Sequence, residues 1–206
     1  MKSRMVNFVL LWFIVVMTTA CAPEADWVIP EDFTTFEDDS GLFSISYPSD
    51  WRVNLQIISQ LESYIGEYMK DLDEDISIEQ TSLLFLAGIP ESSGYHPNVN
   101  IVIEPLPGRI RTIRGVVNGQ VAGLKTYTDD YHEIARQKVK VDGRDAYILE
   151  FEATYPNLGS VHALILVTKA GGNAWTVTCT ALDGLDDFDQ HADDFQSIVR
   201  SLRIHK

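Results

Sequence analysis

The last third of the chain constrains the fold most, because apolar and polar residues alternate there over four consecutive segments. The segments are residues 134–141, 145–155, 161–169 and 174–181. A short turn that contains glycine separates each from the next: Asp142-Gly143, then 156–159, then 170–173. Alternation with a period of two is typical of half-buried strands, and short glycine turns join neighbouring strands antiparallel. The sequence therefore predicts a four-stranded antiparallel meander.

Further strands are predicted upstream of the meander. Residues 34–38 and 42–47 alternate around Asp39-Ser40-Gly41, which predicts a hairpin. Residues 81–88 form a short apolar strand, and residues 98–104 alternate again until the prolines at 105 and 107.

Three segments have helical spacing of their apolar residues. They are residues 54–72, residues 113–127 and a closing helix within residues 183–204. The second carries glycines at 115, 119 and 123, a spacing that predicts close packing along one face. A meander with helices on its faces is an α+β fold, an αβα sandwich.

The N-terminus is typical of an exported protein. Lys2 and Arg4 precede an apolar run, Thr18-Thr19-Ala20 follow, and Cys21 comes next. A cysteine at this place predicts a bacterial lipoprotein that is cleaved before Cys21 and lipidated on its thiol, although Thr18 stands where leucine is usual. A retained membrane anchor and plain secretion after cleavage are the alternatives. The predicted organisation is a signal peptide over 1–20, a lipidated tether over 21–31 and one domain over 32–206.

The charge of the mature chain limits the kinds of partner that it can bind. Without residues 1–20 it has 186 residues with 14 basic and 30 acidic side chains, a formal charge of −16. Such a charge repels nucleic acid and anionic lipid headgroups and attracts cations or basic surfaces. The charge also has a plainer explanation, since it keeps a protein soluble.

Cys179 is the second cysteine of the chain, so lipidation of Cys21 would leave no internal disulfide. Cys179 shares a strand face with Trp175, Val177 and Ala181, which predicts a small buried hydrophobe and not a nucleophile.

Three local motifs together resemble the PsbP-like domain family. The first is F-x-I-x-Y-P-x-x-W, from Phe43 to Trp51. The second is V-x-G-x-x-A-Y, from Val141 to Tyr147, and the third is D-F-x-x-I-x-x-S-L-R, from Asp194 to Arg203. The resemblance covers residues 34–204 and implies an antiparallel sheet between helices.

What the resemblance implies about function is a binding role. PsbP is a non-catalytic accessory that docks on photosystem II and supports its calcium and chloride binding, and Mog-type relatives bind a small GTPase. The motif positions are core and turn residues, so the resemblance carries over no catalytic residue.

Candidate metal ligands are weak. In the run from Asp71, residues 76 and 82 are Ile and Ser where a calcium loop needs Gly and Glu, which excludes an EF-hand. A second acidic run could hold calcium but is equally explained by capping of the closing helix; it comprises Asp183, Asp186, Asp187 and Asp189. The five histidines have no zinc-binding spacing.

Aromatic residues outside the strands are the candidate partner contacts. They are Trp51, after the first hairpin, and Tyr95 with His96, in a loop between strands. For Trp51 the family resemblance implies an alternative, in which the tryptophan of this turn packs beneath the sheet edge.

Three function classes follow. The first is a lipid-anchored, extracytoplasmic, non-catalytic module that binds or stabilises a membrane-associated protein partner, without nucleic acid and without a cofactor. The second is a cation- or small-ligand-binding lipoprotein with its pocket between sheet and helices. The third and least favoured is an enzyme, because no nucleophile–base set stands out.

Overall fold

The protein is described here from a computed structural model. It describes residues 27–54, 82–90, 97–108, 112–156, 158–182 and 187–205. The predicted helix at 54–72 lies outside these residues from position 55 onward.

The described chain contains strands β1 to β10 and helices α1 and α2. In chain order they are β1 Phe33–Glu37, β2 Phe43–Pro48, β3 Arg52–Val53, β4 Ser82–Gly88, β5 Asn98–Pro105, α1 Ile113–Tyr127, β6 Asp129–Val141, β7 Arg144–Tyr155, β8 Gly159–Ala170, β9 Asn173–Leu182, α2 Asp187–Ser201 and β10 Arg203–Ile204.

The predicted meander is confirmed as β6 to β9, with all neighbours antiparallel. It forms most of a sheet of order β3-β4-β5-β9-β8-β7-β6. The hairpin turn between β6 and β7 places Asp142 and Gly143 at positive φ, 51° and 72°, the backbone that a two-residue turn of this kind requires.

The predicted first hairpin is confirmed as β1 and β2, with Phe36 opposite Ile45. Its second strand also pairs with β10, so the order of this small sheet is β1-β2-β10. The small sheet thus joins strands from both ends of the domain.

The two faces of the large sheet carry separate cores. One core lies beneath the small sheet and α2 and contains Phe43, Phe85, Trp175 and Phe195. The other lies beneath α1 and contains Val117, Phe151 and Ile165. Strand β8 serves both cores, because Leu164 and Leu166 face one and Ala163 and Ile165 the other. The α+β prediction, a sheet between helices, is confirmed.

Candidate functional site

A cleft lies beside α1. Its volume is about 450 Å3, within the usual range of ligand pockets. The ends of β5 and β9 form one wall, α1 forms the other, and most lining groups are apolar. The lining residues are Glu104, Pro105, Leu106, Pro107, Val116, Gly119, Gln120, Gly123, Leu124, Tyr127, Tyr155 and Ala174.

Glycine keeps the cleft open. A Cβ built on Gly119 or Gly123 would meet no atom within 4 Å. The prediction that these glycines let α1 pack closely is therefore wrong. Helix α1 packs through Ile113, Val117 and Val121, and the glycines face space.

One polar pair stands at the wall of the cleft. The Gln120 side-chain amide donates to Glu104 Oε2 at 2.8 Å, which links α1 to the end of β5. A carboxylate beside apolar walls suits a ligand with an apolar body and a donor group, such as an amine.

A second cluster lies where α2 begins over β8. The ring of His162 stacks on Phe188 with centroids 3.4 Å apart, and its Nε2 lies 3.0 Å from Glu150 Oε1. One turn along α2, His191 Nδ1 lies 3.3 Å from Asp194 Oδ2. Of these contacts, the stacking of His162 on Phe188 joins α2 to the sheet.

Trp51 is a buried residue of this second cluster. Its prediction as a partner contact is therefore wrong. Its side chain is 2% exposed and meets the ring of Phe195 at 6.3 Å and that of His191 at 6.1 Å. Pro48 turns the chain back toward the domain through the hydrogen bond from the Trp51 amide to the Pro48 carbonyl, so the indole enters the core.

The other predicted site residues are mostly beyond the described part of the chain. Cys21, Tyr95, His96, Asp183 and Asp186 lie outside it. Asp187 starts α2, and Asp189 is exposed on it. Within the described residues no group of three or more His, Cys, Asp or Glu side chains is placed to hold a metal ion, so calcium at the acidic run stays a prediction.

Cys179 is confirmed as a buried residue of β9, and its thiol is free. Burial raises the pKa of this thiol well above its usual value, because the interior disfavours the charged thiolate. The thiol is therefore unsuited to nucleophilic chemistry.

The sequence predicts a pocket between sheet and helices only in general terms and does not place it beside α1, although one signal could have located it. Glycines four residues apart on an amphipathic helix indicate missing side chains on one face. They do not say whether a neighbour or a cavity occupies the space.

In the described part of the chain no helix combines the length and apolarity needed to cross a bilayer.

Comparison with solved structures shows the fold. The solution structure of cyanobacterial PsbP, CyanoP, from Synechocystis sp. PCC 6803 superimposes with a TM-score of 0.55 at 15% identity, over 86% of this chain and 95% of that one. LpqN of Mycobacterium tuberculosis, described as involved in cell envelope biogenesis, superimposes with a TM-score of 0.50 at 15% identity, over 84% of this chain and 91% of that one.

A search of curated proteins finds no match. The PsbP family model, in contrast, matches residues 31–204, which is nearly all of the predicted domain. The chain belongs to the PsbP family.

Proposed function

We propose that this protein is a non-catalytic accessory module, lipid-anchored through Cys21 outside the cytoplasm, that docks on or stabilises a membrane-associated protein. Membership of the PsbP family over residues 31–204 is the observation that carries the proposal. The involvement of LpqN in cell envelope biogenesis supports the location.

The chemistry of the described side chains agrees with a binding role. The Cys179 thiol is buried. His162 and His191 are each paired with a carboxylate and packed against aromatic rings of α2 or the core. A general acid or base must face its substrate. The two histidines are instead engaged in packing between residues of the domain.

Cross-linking of the full-length protein in native membranes, followed by mass spectrometry, tests the proposal. We expect one membrane-associated protein to be captured reproducibly by the wild type. The Cys21→Ser variant should leave the membrane fraction and lose that capture. An intact mature protein that carries no lipid, or one that captures no membrane protein, would contradict the proposal.

The α1 cleft favours a second candidate function, the binding of a small apolar ligand with an amine or similar donor group. The apolar walls would hold the body of the ligand, and Glu104 would accept its hydrogen bond. A ligand of the native state must raise the melting temperature.

A pair of α1 variants tests this second function. Gly123→Leu fills the cleft, whereas Ala122→Leu adds a larger side chain at an exposed position of the same helix that does not line the cleft. Apolar amines and their neutral hydrocarbon analogues are the probes in thermal melts. We expect amines to stabilise the wild type and Ala122→Leu but not Gly123→Leu; equal shifts in all three would reject the cleft as the site.

A further inference from the structure

Strand β6 lies at one edge of the large sheet. Among the described strands it pairs with β7 alone, and it stands last in the strand order. Its register is irregular before Ala135, whereas residues 135–141 pair regularly with β7. An edge strand offers backbone N–H and C=O groups to a further strand. Residues 135–141, which we call the β6 edge, are therefore a place where a strand can add.

The hairpin register shows which backbone groups point outward from the β6 edge. The two-residue turn makes Val141 and Arg144 a hydrogen-bonded pair. Hydrogen-bonded and non-hydrogen-bonded pairs alternate along antiparallel strands, so the N–H and C=O groups of Arg136 and Lys138 point away from β7. Residues 135–138 are all exposed, so the chain around these groups is open to solvent.

Cationic side chains alternate along one face of the β6 edge. Its two valines turn into the core beneath the small sheet and α2, so Arg136, Lys138 and Lys140 lie on the opposite face, beside α1. Arg136 Nη1 accordingly lies 3.3 Å from Asn118 Oδ1 of α1. The residues with outward backbone groups thus also carry positive charge.

Two carboxylates contact these cations. Glu133 Oε2 lies 2.6 Å from Arg136 Nη2, and Asp145 lies 3.5 Å from Lys138 Nζ and 2.8 Å from Lys140 Nζ. The lysines keep side-chain exposures of 57% and 56%. Ion pairs this exposed contribute little energy, so an incoming carboxylate can compete with Asp145.

Cations outnumber carboxylates on this face of the β6 edge. Helix α1 contains no acidic residue, and its Arg114 lies one helical turn before Asn118, on the flank that contacts β6. The described residues here therefore include four cations, with Arg114, against the two carboxylates of Glu133 and Asp145.

The other carboxylates of β6 and β7 do not cancel this excess. Asp129 and Asp130 begin β6, about 25 Å along the strand from Lys138, where salt screens their effect. Asp142 in the turn pairs with Arg144. The glutamates of β7 lie on the opposite face of the sheet, toward α2.

This pattern selects the kind of strand that can add. In an antiparallel pair of two β6 edges, the cations of both copies would lie on one face and opposite each other, which destabilises the pair. Lysines on an edge also discourage the addition of apolar strands. A strand with Asp or Glu at every second position would instead place a carboxylate opposite each cation.

We propose that the β6 edge binds an extended acidic segment of a partner protein by strand addition, with carboxylates opposite Arg136, Lys138 and Lys140. This inference rests on the proposed docking function and names the surface that carries it. Backbone hydrogen bonds supply affinity, and the alternating cations supply specificity.

Peptide binding to the full-length protein, purified in mild detergent, tests the inference. The probe is a fluorescent peptide that alternates threonine with three glutamates. Its isomer with consecutive glutamates has the same charge but cannot place all of them on one face of a strand. We expect the isomer to bind at least about fivefold more weakly in fluorescence anisotropy. In hydrogen exchange followed by NMR, the alternating peptide should protect the outward amides of Arg136 and Lys138.

Charge reversal makes the test specific. Lys138→Glu with Lys140→Glu should weaken binding of the glutamate peptide and favour the corresponding lysine peptide. Arg52→Glu with Lys125→Glu reverses the same charge outside the β6 edge and should keep the preference for glutamate. Absent binding, equal binding of the two isomers, or equal effects of both variant pairs would overturn the inference.

Two substitutions at Lys138 separate strand addition from binding by charge alone. Lys138→Gln and Lys138→Pro both lose the ammonium group, but proline also removes the outward N–H and leaves the hydrogen bonds to β7 in place. We expect proline to weaken binding by a further factor of about two to ten. A peptide N-methylated at every residue makes the equivalent change on the ligand and should also bind weakly. Equal affinities in these comparisons would reject strand addition.

Cross-linking in native membranes separates failure of this inference from failure of the proposed function. Capture of a membrane protein that persists in Lys138→Glu with Lys140→Glu would keep the docking function and reject the β6 edge as its surface. Sedimentation of the purified protein examines the other occupant. A dimer whose Arg136 and Lys138 amides are protected without peptide would assign the edge to a second copy and overturn the inference.

Discussion

At the scale of single residues, Ser201 connects the two ends of the domain. Its hydroxyl oxygen accepts a hydrogen bond from the Ser46 amide at 2.8 Å, and the hydroxyl donates to the Ile198 carbonyl at 2.7 Å. The site is buried, so water cannot replace the lost partner. We predict that Ser201→Ala lowers the free energy of unfolding by about 1–3 kcal/mol, the cost of a buried unsatisfied donor.

Ser197 provides the matched control for this prediction, measured by urea denaturation. It is also buried on α2, but its hydroxyl donates only within the helix, to the Asp193 carbonyl at 2.9 Å. Ser197→Ala leaves no donor of another element unpaired, so its cost should stay below about 1 kcal/mol. Equal losses in the two variants would show that the link to β2 contributes nothing.

Asp38 gives a residue-scale prediction that depends on pH. Its carboxylate accepts from the Ser40 hydroxyl and from the Ser40 and Leu42 amides, each amide at 3.1 Å, in the turn between β1 and β2. The Ser40 side-chain hydrogen bond lowers the pKa of Asp38 below its usual 3.8. A folded pKa below the unfolded one stabilises the protein above about 3.8, and the contribution is lost as the pH falls through the folded value.

The measurement compares wild type with Asp38→Ala by urea denaturation at several pH values. The difference in free energy of unfolding should be constant near neutral pH and shrink below about pH 4. A difference that is unchanged at pH 3 would show that the charged form of Asp38 is not what stabilises the turn.

At the scale of elements, α1 combines a correct prediction with an incorrect one. Its bounds, Ile113–Tyr127, agree with the helical spacing of its apolar residues, and the Thr112 hydroxyl caps its first turn by accepting from the Gly115 amide. The prediction that its glycines allow close packing is wrong for Gly119 and Gly123. The spacing of glycines shows which face of the helix lacks side chains, but it does not show what lies opposite that face. The cleft exists because α1 lies at a distance from the ends of β5 and β9. That distance is determined by tertiary packing, which the local sequence does not specify.

The glycines of α1 give the element-scale prediction. Gly119→Ala and Gly123→Ala should each raise the free energy of unfolding by up to about 1 kcal/mol, since alanine favours the helix and its Cβ meets no neighbour. Gly143→Ala is the control and should lower it by about 1 kcal/mol, because its φ is +72°. Urea denaturation decides; a loss of stability at Gly119 or Gly123 would mean that the helix needs those positions bare.

Only part of the sheet topology can be predicted from the sequence. Short turns made the order β6 to β9 predictable, since each strand pairs with the next. The pairing of β5 with β9 and of β10 with β2 joins segments far apart in sequence, and no local pattern specifies it. The same limit applies to Trp51, whose burial depends on Phe195 of α2.

At the scale of the whole molecule, the small sheet depends on both ends of the domain. Strand β10 pairs with β2, and the His205 amide donates to the Leu42 carbonyl at 2.9 Å. The Ile204 amide donates to Asp142 Oδ2 at 3.2 Å, so the same short strand also contacts the large sheet. The meander, in contrast, is built from consecutive strands and needs neither end.

We therefore predict that removing residues 203–206 destabilises the small sheet selectively. The truncation deletes the buried Ile204 side chain and the hydrogen bonds of β10, with an expected loss of about 3–5 kcal/mol. Because β8 is buried on both faces by other elements, its amides should remain the most protected from hydrogen exchange, while those of β1 and β2 lose most of their protection. A chain that ends at His205 keeps every described contact of β10 and is the control. An equal fall in protection across β2 and β8 would instead show that the two sheets unfold as one cooperative unit.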